Sequence, residues 1–345
     1  MLKPNSNDGV LHREPDPTDW LAGAIDLKEV CDDWTPYLPA DEKQVFKNFD
    51  SMACVSFSAI NAIETQLNFL IKTGRMSVGN IEWLNDNRYL KNGLVELSDR
   101  FTAKMSGTTK QGNYMTAVWD SIRNDGVIPD SDAPANEDFK WEDYYCEMPQ
   151  ELKNKGKEFT NRFEVQYEWI FWNNSTININ LLRNHIKQAP IQIATLVCPT
   201  WNTGDVKACG CGGGHAHIIY KIDDAYRDFD SYPPYRKKLS SDYCIPSAMK
   251  AVITERALSK EEIAAGLQRV LLEPIPMFNP KFGVGYPGGR VNWALAHRRN
   301  IYNLYITLLK RIPAPQEVDW WLCRTANIDT ITRDIKASVE YQSKN

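Results

Sequence analysis

Apolar positions at Phe57, Ile60, Ile63, Leu67 and Leu70 recur at helical spacing, which predicts a helix opening near Cys54 and stopping at Gly74. Asp50 or Ser51 can cap its start. An apolar strip at 93–97 runs into a short helix near 98–101. Tyr114, Ala117, Val118 and Ile122 mark another helix, closed by Gly126 and Pro129. Residues 130–160 are polar and acidic and read as surface loop. Thereafter the pattern turns to aromatic and β-branched runs, which predict strands at 163–172, 191–197, 215–222, 226–232 and 243–253. A short helix at 178–187, with Leu181, Leu182 and Ile186 inward, interrupts them. A Gly/Cys loop spans 204–214.

The two ends differ from this body. Residues 1–25 carry the Pro-rich run 14–20 and read as an extended strap. Ser259 to Glu262 forms a capping box ahead of Ile263, Leu267 and Val270. Residues 275–289 are rich in Pro and Gly, as in a linker. From 290 to 345 the chain reads helical. The expected organisation is a strap (1–25), a main α+β domain (26–274), a linker (275–289) and a helical module (290–345).

Composition narrows the function. A chain of 345 residues with 43% hydrophobic content has ample material for a core, and its net charge of −4 points to neither a nucleic-acid nor an anionic-membrane partner. No apolar run approaches the roughly 20 residues of a membrane span. Residues 1–6 show no signal-peptide core, so synthesis in a cytoplasm is expected. The eight cysteines have no secreted-framework spacing, and most are expected as reduced thiols.

The candidate chemistry is a cysteine, a histidine and a carboxylate. Cys54 begins a helix, where the helix dipole favours the thiolate. His215 enters a strand after a glycine run, and Asp230 ends the next strand. A thiol nucleophile needs a base within hydrogen-bond reach and a third group to orient that base. Taken alone, Cys54 reads first as a buried structural residue, and the histidine and carboxylate downstream reverse that. Cys209, Cys211, His215 and His217 offer a second reading, since two Cys and two His are zinc ligands. The Cys-x-Cys spacing is tight for that, and the expectation is no metal and no cofactor. His12, His185 and His297 have no companions.

These motifs resemble the papain-like cysteine peptidases, in their bacterial and phage-borne branch. The similarity rests on 15–20, 50–59, 97–101, Gly112, 126–129, 181–193, the Gly213-Gly214-His215-Ala216 run and Asp230-Ser231-Tyr232, and it covers about 12–255. It implies a two-lobed fold, with a helical left lobe and a β-barrel right lobe. It implies acyl transfer on a peptide, such as one of a cell envelope, with Cys54 as nucleophile, His215 as acid and base and Asp230 orienting the ring. The family's oxyanion-hole glutamine, six residues before the nucleophile, falls on Asn48. Gln44 is the alternative if the turn is longer. Val55, Asp230 and Tyr232 stand where the family carries an aromatic residue, Asn and Trp.

Residues 295–342 resemble a small helical module that ends bacterial surface and phage tail proteins. It implies protein partners through these helices and incorporation into a virion or cell-surface assembly. The competing expectation is a catalytically weak or inactive papain-fold structural protein of such an assembly.

Overall fold

The long helix α1, Cys54–Lys72, is buried around nearly its whole circumference from Cys54 to Phe69. Its polar side chains therefore need internal partners, and two glutamines tie the helix to the sheet. Gln66 donates to the Ala251 carbonyl at 3.0 Å and accepts from the Ile253 amide at 3.3 Å. From the facing sheet, Gln192 donates to the Val55 carbonyl (3.0 Å) and to Ser58 Oγ (2.7 Å), and accepts from Trp119 Nε1 at 2.7 Å. Helix and sheet are thus locked in register by hydrogen bonds as well as by apolar packing.

The computed structural model describes residues 9–11, 30–172, 179–197, 200–206 and 214–256, with parts of 300–342. The chain divides into two compact units, 1–69 with 85–255 and 70–84 with 256–345. Along the chain, strand β1 (Val10–Leu11) is followed by α1, by α2 (Val78–Asp86), most of which belongs to the second unit, and by the hairpin of β2 (Leu90–Lys91) and β3 (Leu94–Val95). Asn92 and Gly93, with φ of 54° and 79°, make the hairpin's two-residue turn. Then come α3 (Asp99–Met105), β4 (Asn113–Tyr114), α4 (Met115–Asp125), α5 (Trp141–Tyr144) and α6 (Gln150–Thr160). Ser98 caps α3 by accepting from the Phe101 amide.

The region 130–160 is therefore not the surface loop its polarity predicts. In α6, Phe159 and Gly156 are buried against the end of α4, and a side chain at Gly156 would meet the Asp125 carbonyl at 2.3 Å. Two inward positions suffice for this helix, so its composition stays polar.

The second half is a sheet: β5 (Phe163–Phe171), β6 (Ile191–Leu196), β7 (Asp205–Val206), β8 (Gly214–Ile222), β9 (Tyr226–Phe229), β10 (Arg236–Leu239) and β11 (Ser247–Glu255), with α7 (Ile179–Ile186) between β5 and β6. The order is β5-β11-β6-β8-β9-β10-β7, antiparallel except for the final β10–β7 pair. The fold is α+β, with a helical and a sheet half. The barrel expected for the sheet half is corrected: among the described residues β5 and β7 are two edges that do not pair, so the seven strands form an open sheet.

Three carboxyl groups meet inside the helical half. Glu64 on α1 accepts from the Leu97 amide at 2.6 Å. Glu42 and Asp99 share a hydrogen bond, and each of the three keeps one buried oxygen without a partner. Burial raises all three pKa values, that of Glu42 to about 7; repulsion from Glu42 adds to it for Glu64 and Asp99, and repulsion from Asp130 and Glu96 adds to it for Glu42.

In the second unit, Ile301, Tyr305, Leu309, Val318, Trp321, Ile331 and Ile335 make one apolar cluster, with Leu304 and Leu308 against it. Trp321 Nε1 donates to Tyr305 Oη at 2.9 Å. The capping box at 259–262 and the linker at 275–289 lie outside the described residues.

Candidate active site

The turn before α1 is strained. Met52 has φ of 56°, a left-handed conformation unusual for a side chain of its size. Asp50 holds it there, its Oδ1 accepting the Met52 amide at 2.9 Å. Ser51 does not cap α1, for its Oγ is buried without a partner. Cys54 then enters the first turn of α1, fully buried.

Facing it, β8 places His215 and His217 on one face, and both are buried. His215 Nε2 donates to Asp230 Oδ1 at 2.6 Å. Its other nitrogen, Nδ1, is buried without an oxygen or nitrogen partner, and the Cys54 side chain acts on the ring through hydrogen bonding and charge. Burial opposes charge on His215, but the Asp230 carboxylate and the Cys54 thiol outweigh it and hold the imidazole pKa well above its ordinary value. Burial likewise opposes ionisation of Asp230. The charges of His215 and Lys237 prevail and keep it below the usual carboxylate range.

Trp201, Lys237, Thr195 and Asp228 also belong to this site, though the motifs did not indicate them. Trp201 donates Nε1–H to Asp230 Oδ2 at 2.8 Å and sets its ring edge-on to both histidines, with centroids 5.6 and 5.0 Å away. Lys237 Nζ donates to the same Oδ2 at 2.5 Å. His217 bonds Asp228 through Nδ1 and Thr195 Oγ1 through Nε2, the latter at 2.7 Å. Both its ring nitrogens are thus engaged, which leaves none for a cation. Cys209 and Cys211 lie outside the described residues. Tyr232 packs 5.0 Å from His215, so that Tyr232 and Trp201 together cover the ring. Lys237 was legible in principle: in β10, Arg236 and Lys238 point outward and Lys237 and Leu239 inward.

Asn48 does not join the site. It is exposed, and its amide is donated to the carbonyls of Asp138 and Phe139, both at 3.3 Å. Gln44 stands beside the site instead. Val45 and Asp50 pair as a small hairpin, and the Ser51 amide donates to the Gln44 carbonyl at 3.1 Å. The chain leaves at 45, returns at 50, and so sets Gln44 next to Ser51. Gln44 Nε2 donates to Asp50 Oδ1 and Tyr232 Oη, each at 2.9 Å, and its Oε1 accepts from Ser231 Oγ at 2.7 Å.

The strap crosses the thiol. β1 runs parallel to β4, and the Asn113 amide donates to the Gly9 carbonyl at 2.8 Å. A side-chain carbon on Gly9 would lie 2.9 Å from Cys54 Sγ, and one on Gly112 would lie 1.9 Å from the Gly9 oxygen. Both glycines have φ of 96°. Close approach and positive φ together demand glycine at both positions.

No protein-family model matches the sequence, and no curated protein does. Among solved structures the chain is similar to xylellain, a cysteine protease from Xylella fastidiosa, at 14% identity and a TM-score of 0.49, over 75% of this chain and 100% of that one. It is also similar to the bromelain protease of Ananas comosus, solved with the E64 inhibitor, at 14% identity and a TM-score of 0.42, over 64% and 97% of the two chains.

Proposed function

We propose that this chain is a papain-like cysteine hydrolase of peptide or amide bonds. The observation that carries the reading is the buried His215 ring, bonded to Asp230 on one nitrogen and turned to the Cys54 thiol on the other side. The Cys54 thiolate attacks the carbonyl carbon, and the Cys54 main-chain N–H at the helix start steadies the oxyanion. His215 Nδ1–H protonates the departing amine, leaving a thioester. Water, deprotonated by the now neutral His215, attacks the thioester and releases the acid, and the proton returns the Cys54–His215 pair to its starting state.

A second reading is favoured by Gly9, which occupies the space in front of the thiol. In that reading the chain is a structural component, of a phage tail or a cell-surface assembly, and the helices of the second unit attach it to a partner. Labelling with a thiol-directed peptide electrophile decides between the two, with Cys54→Ala as control. Cys54-dependent labelling supports the hydrolase. No such labelling across several peptides, even after residues 1–11 are removed, supports the structural role.

A further inference from the structure

We propose that Lys237 is a positioning residue for the reaction assigned above: its ammonium neutralises Asp230 and fixes that carboxylate as an acceptor, so that Asp230 orients His215 without trapping it as an imidazolium. The proposal rests on the Cys54 hydrolase reading.

The geometry is a saturated carboxylate. Asp230 Oδ1 accepts from His215 Nε2 and from the Ser231 amide, both at 2.6 Å. Oδ2 accepts from Trp201 Nε1 at 2.8 Å and from Lys237 Nζ at 2.5 Å. Four donors use the roughly four lone-pair positions a carboxylate offers. Lys237 also donates to the Tyr232 carbonyl at 2.6 Å, and its side chain is fully buried. An ammonium is buried only where it is paired. Its Nζ lies 5.1 Å from the centre of the Trp201 ring, an added attraction for the cation.

A carboxamide cannot replace this carboxylate. With its oxygen toward His215, an amide would turn its NH2 group onto two further donors, Trp201 and Lys237. The acid at 230 and the base at 237 therefore depend on each other. Without Lys237, an uncompensated carboxylate would face the imidazole in a dry interior and hold its proton, and a general acid that cannot release its proton is a poor one. Among the described residues, the other charged or titratable groups around the pair are His217 on β8, Asp228 on β9, Cys54 on α1, and Tyr232 and Tyr235 in the loop that follows β9.

The test is histidine 15N NMR on the full chain. In Lys237→Met the His215 imidazolium should titrate about one pH unit higher, and Lys237→Arg should restore it. A Lys237→Met protein that is less stable, yet titrates His215 unchanged, would overturn the proposal and leave Lys237 a merely structural residue. Should Lys237→Met not fold, Asp230→Asn is compared with Asp230→Asn/Lys237→Gln. The double variant should keep His215 as the Nε2–H tautomer with a slowly exchanging ring proton, and the single variant should lose that signature. Identical spectra would overturn the proposal. Failure of the native chain to be labelled at Cys54 sinks the hydrolase reading separately, because the NMR result depends on no turnover.

Discussion

Gly9 and Cys54 are in contact across the mouth of the candidate site: a single carbon added to Gly9 would sit 2.9 Å from the Cys54 sulfur. Residues 9–11 and the Cys54 side chain compete for one volume. Gly9→Val adds that carbon and also strains a backbone at φ of 96°. The expected result is displacement of residues 9–11 and alkylation of Cys54 about tenfold faster than in the native chain. An unchanged rate in a folded variant would mean that the strap does not limit access.

The two amides near the turn should separate cleanly. Gln44 lies among Asp50, Ser231 and Tyr232, whereas Asn48 is spent on the carbonyls of Asp138 and Phe139. With Gln44 as the oxyanion donor, Gln44→Ala lowers the rate of Cys54 acylation by a peptide electrophile about 100-fold, while Asn48→Ala leaves it unaltered. Equal rates for both would return the oxyanion role to the main chain alone.

The pH dependence of Cys54 alkylation should follow His215. Against burial, the Asp230 carboxylate and the Cys54 side chain hold the His215 imidazole well above its ordinary range. In a chain lacking residues 1–11, the alkylation rate should therefore change with pH where His215 titrates, and His215→Gln should abolish that step. Identical pH profiles for the two proteins would mean that His215 does not act on Cys54.

Stability should fall on the alkaline side. Glu42, Glu64 and Asp99 have raised pKa values when folded, so their contribution is complete below about pH 4 and is lost as pH rises through the folded values. For Glu42 the loss runs from about 4.5 to about 7 and amounts to about 3 kcal/mol. His215, also raised, adds to the same trend. Asp230, held low, works the opposite way and withdraws its contribution only in strong acid. Thermal melts should show Tm declining between pH 5 and 8, and Glu64→Gln should flatten that decline. A Tm that climbs over this range would contradict the carboxyl cluster.

The parts readable from sequence were those fixed by periodicity or by a local motif. α1 announced itself through Phe57, Ile60, Ile63 and Leu67, and the positions of His215 and Asp230 followed from a glycine run and a strand end. What escaped depends on geometry that residue counting cannot supply. Counting six residues back from the nucleophile reached Asn48 because nothing local marks the Val45–Asp50 hairpin. Lys237 hid inside Arg236-Lys237-Lys238, a run that reads as solvated although alternate residues point inward. Trp201 belongs to a short 3-10 turn with no periodicity, and its role shows only where its indole meets Asp230. The open sheet likewise turns on whether β5 and β7 meet, which no strand pattern decides.

The strap has one more consequence, because it belongs to the same molecule as the thiol it covers. A tethered segment competes at an effective concentration on the order of millimolar, whatever the protein concentration. Dilution cannot remove it. Any peptide that reaches Cys54 must outbid this internal ligand, and its apparent affinity is scaled down by the fraction of chains in which Gly9 has stepped aside. Access to Cys54 is therefore set partly by how tightly Asn113 and Gly112 hold residues 9–11.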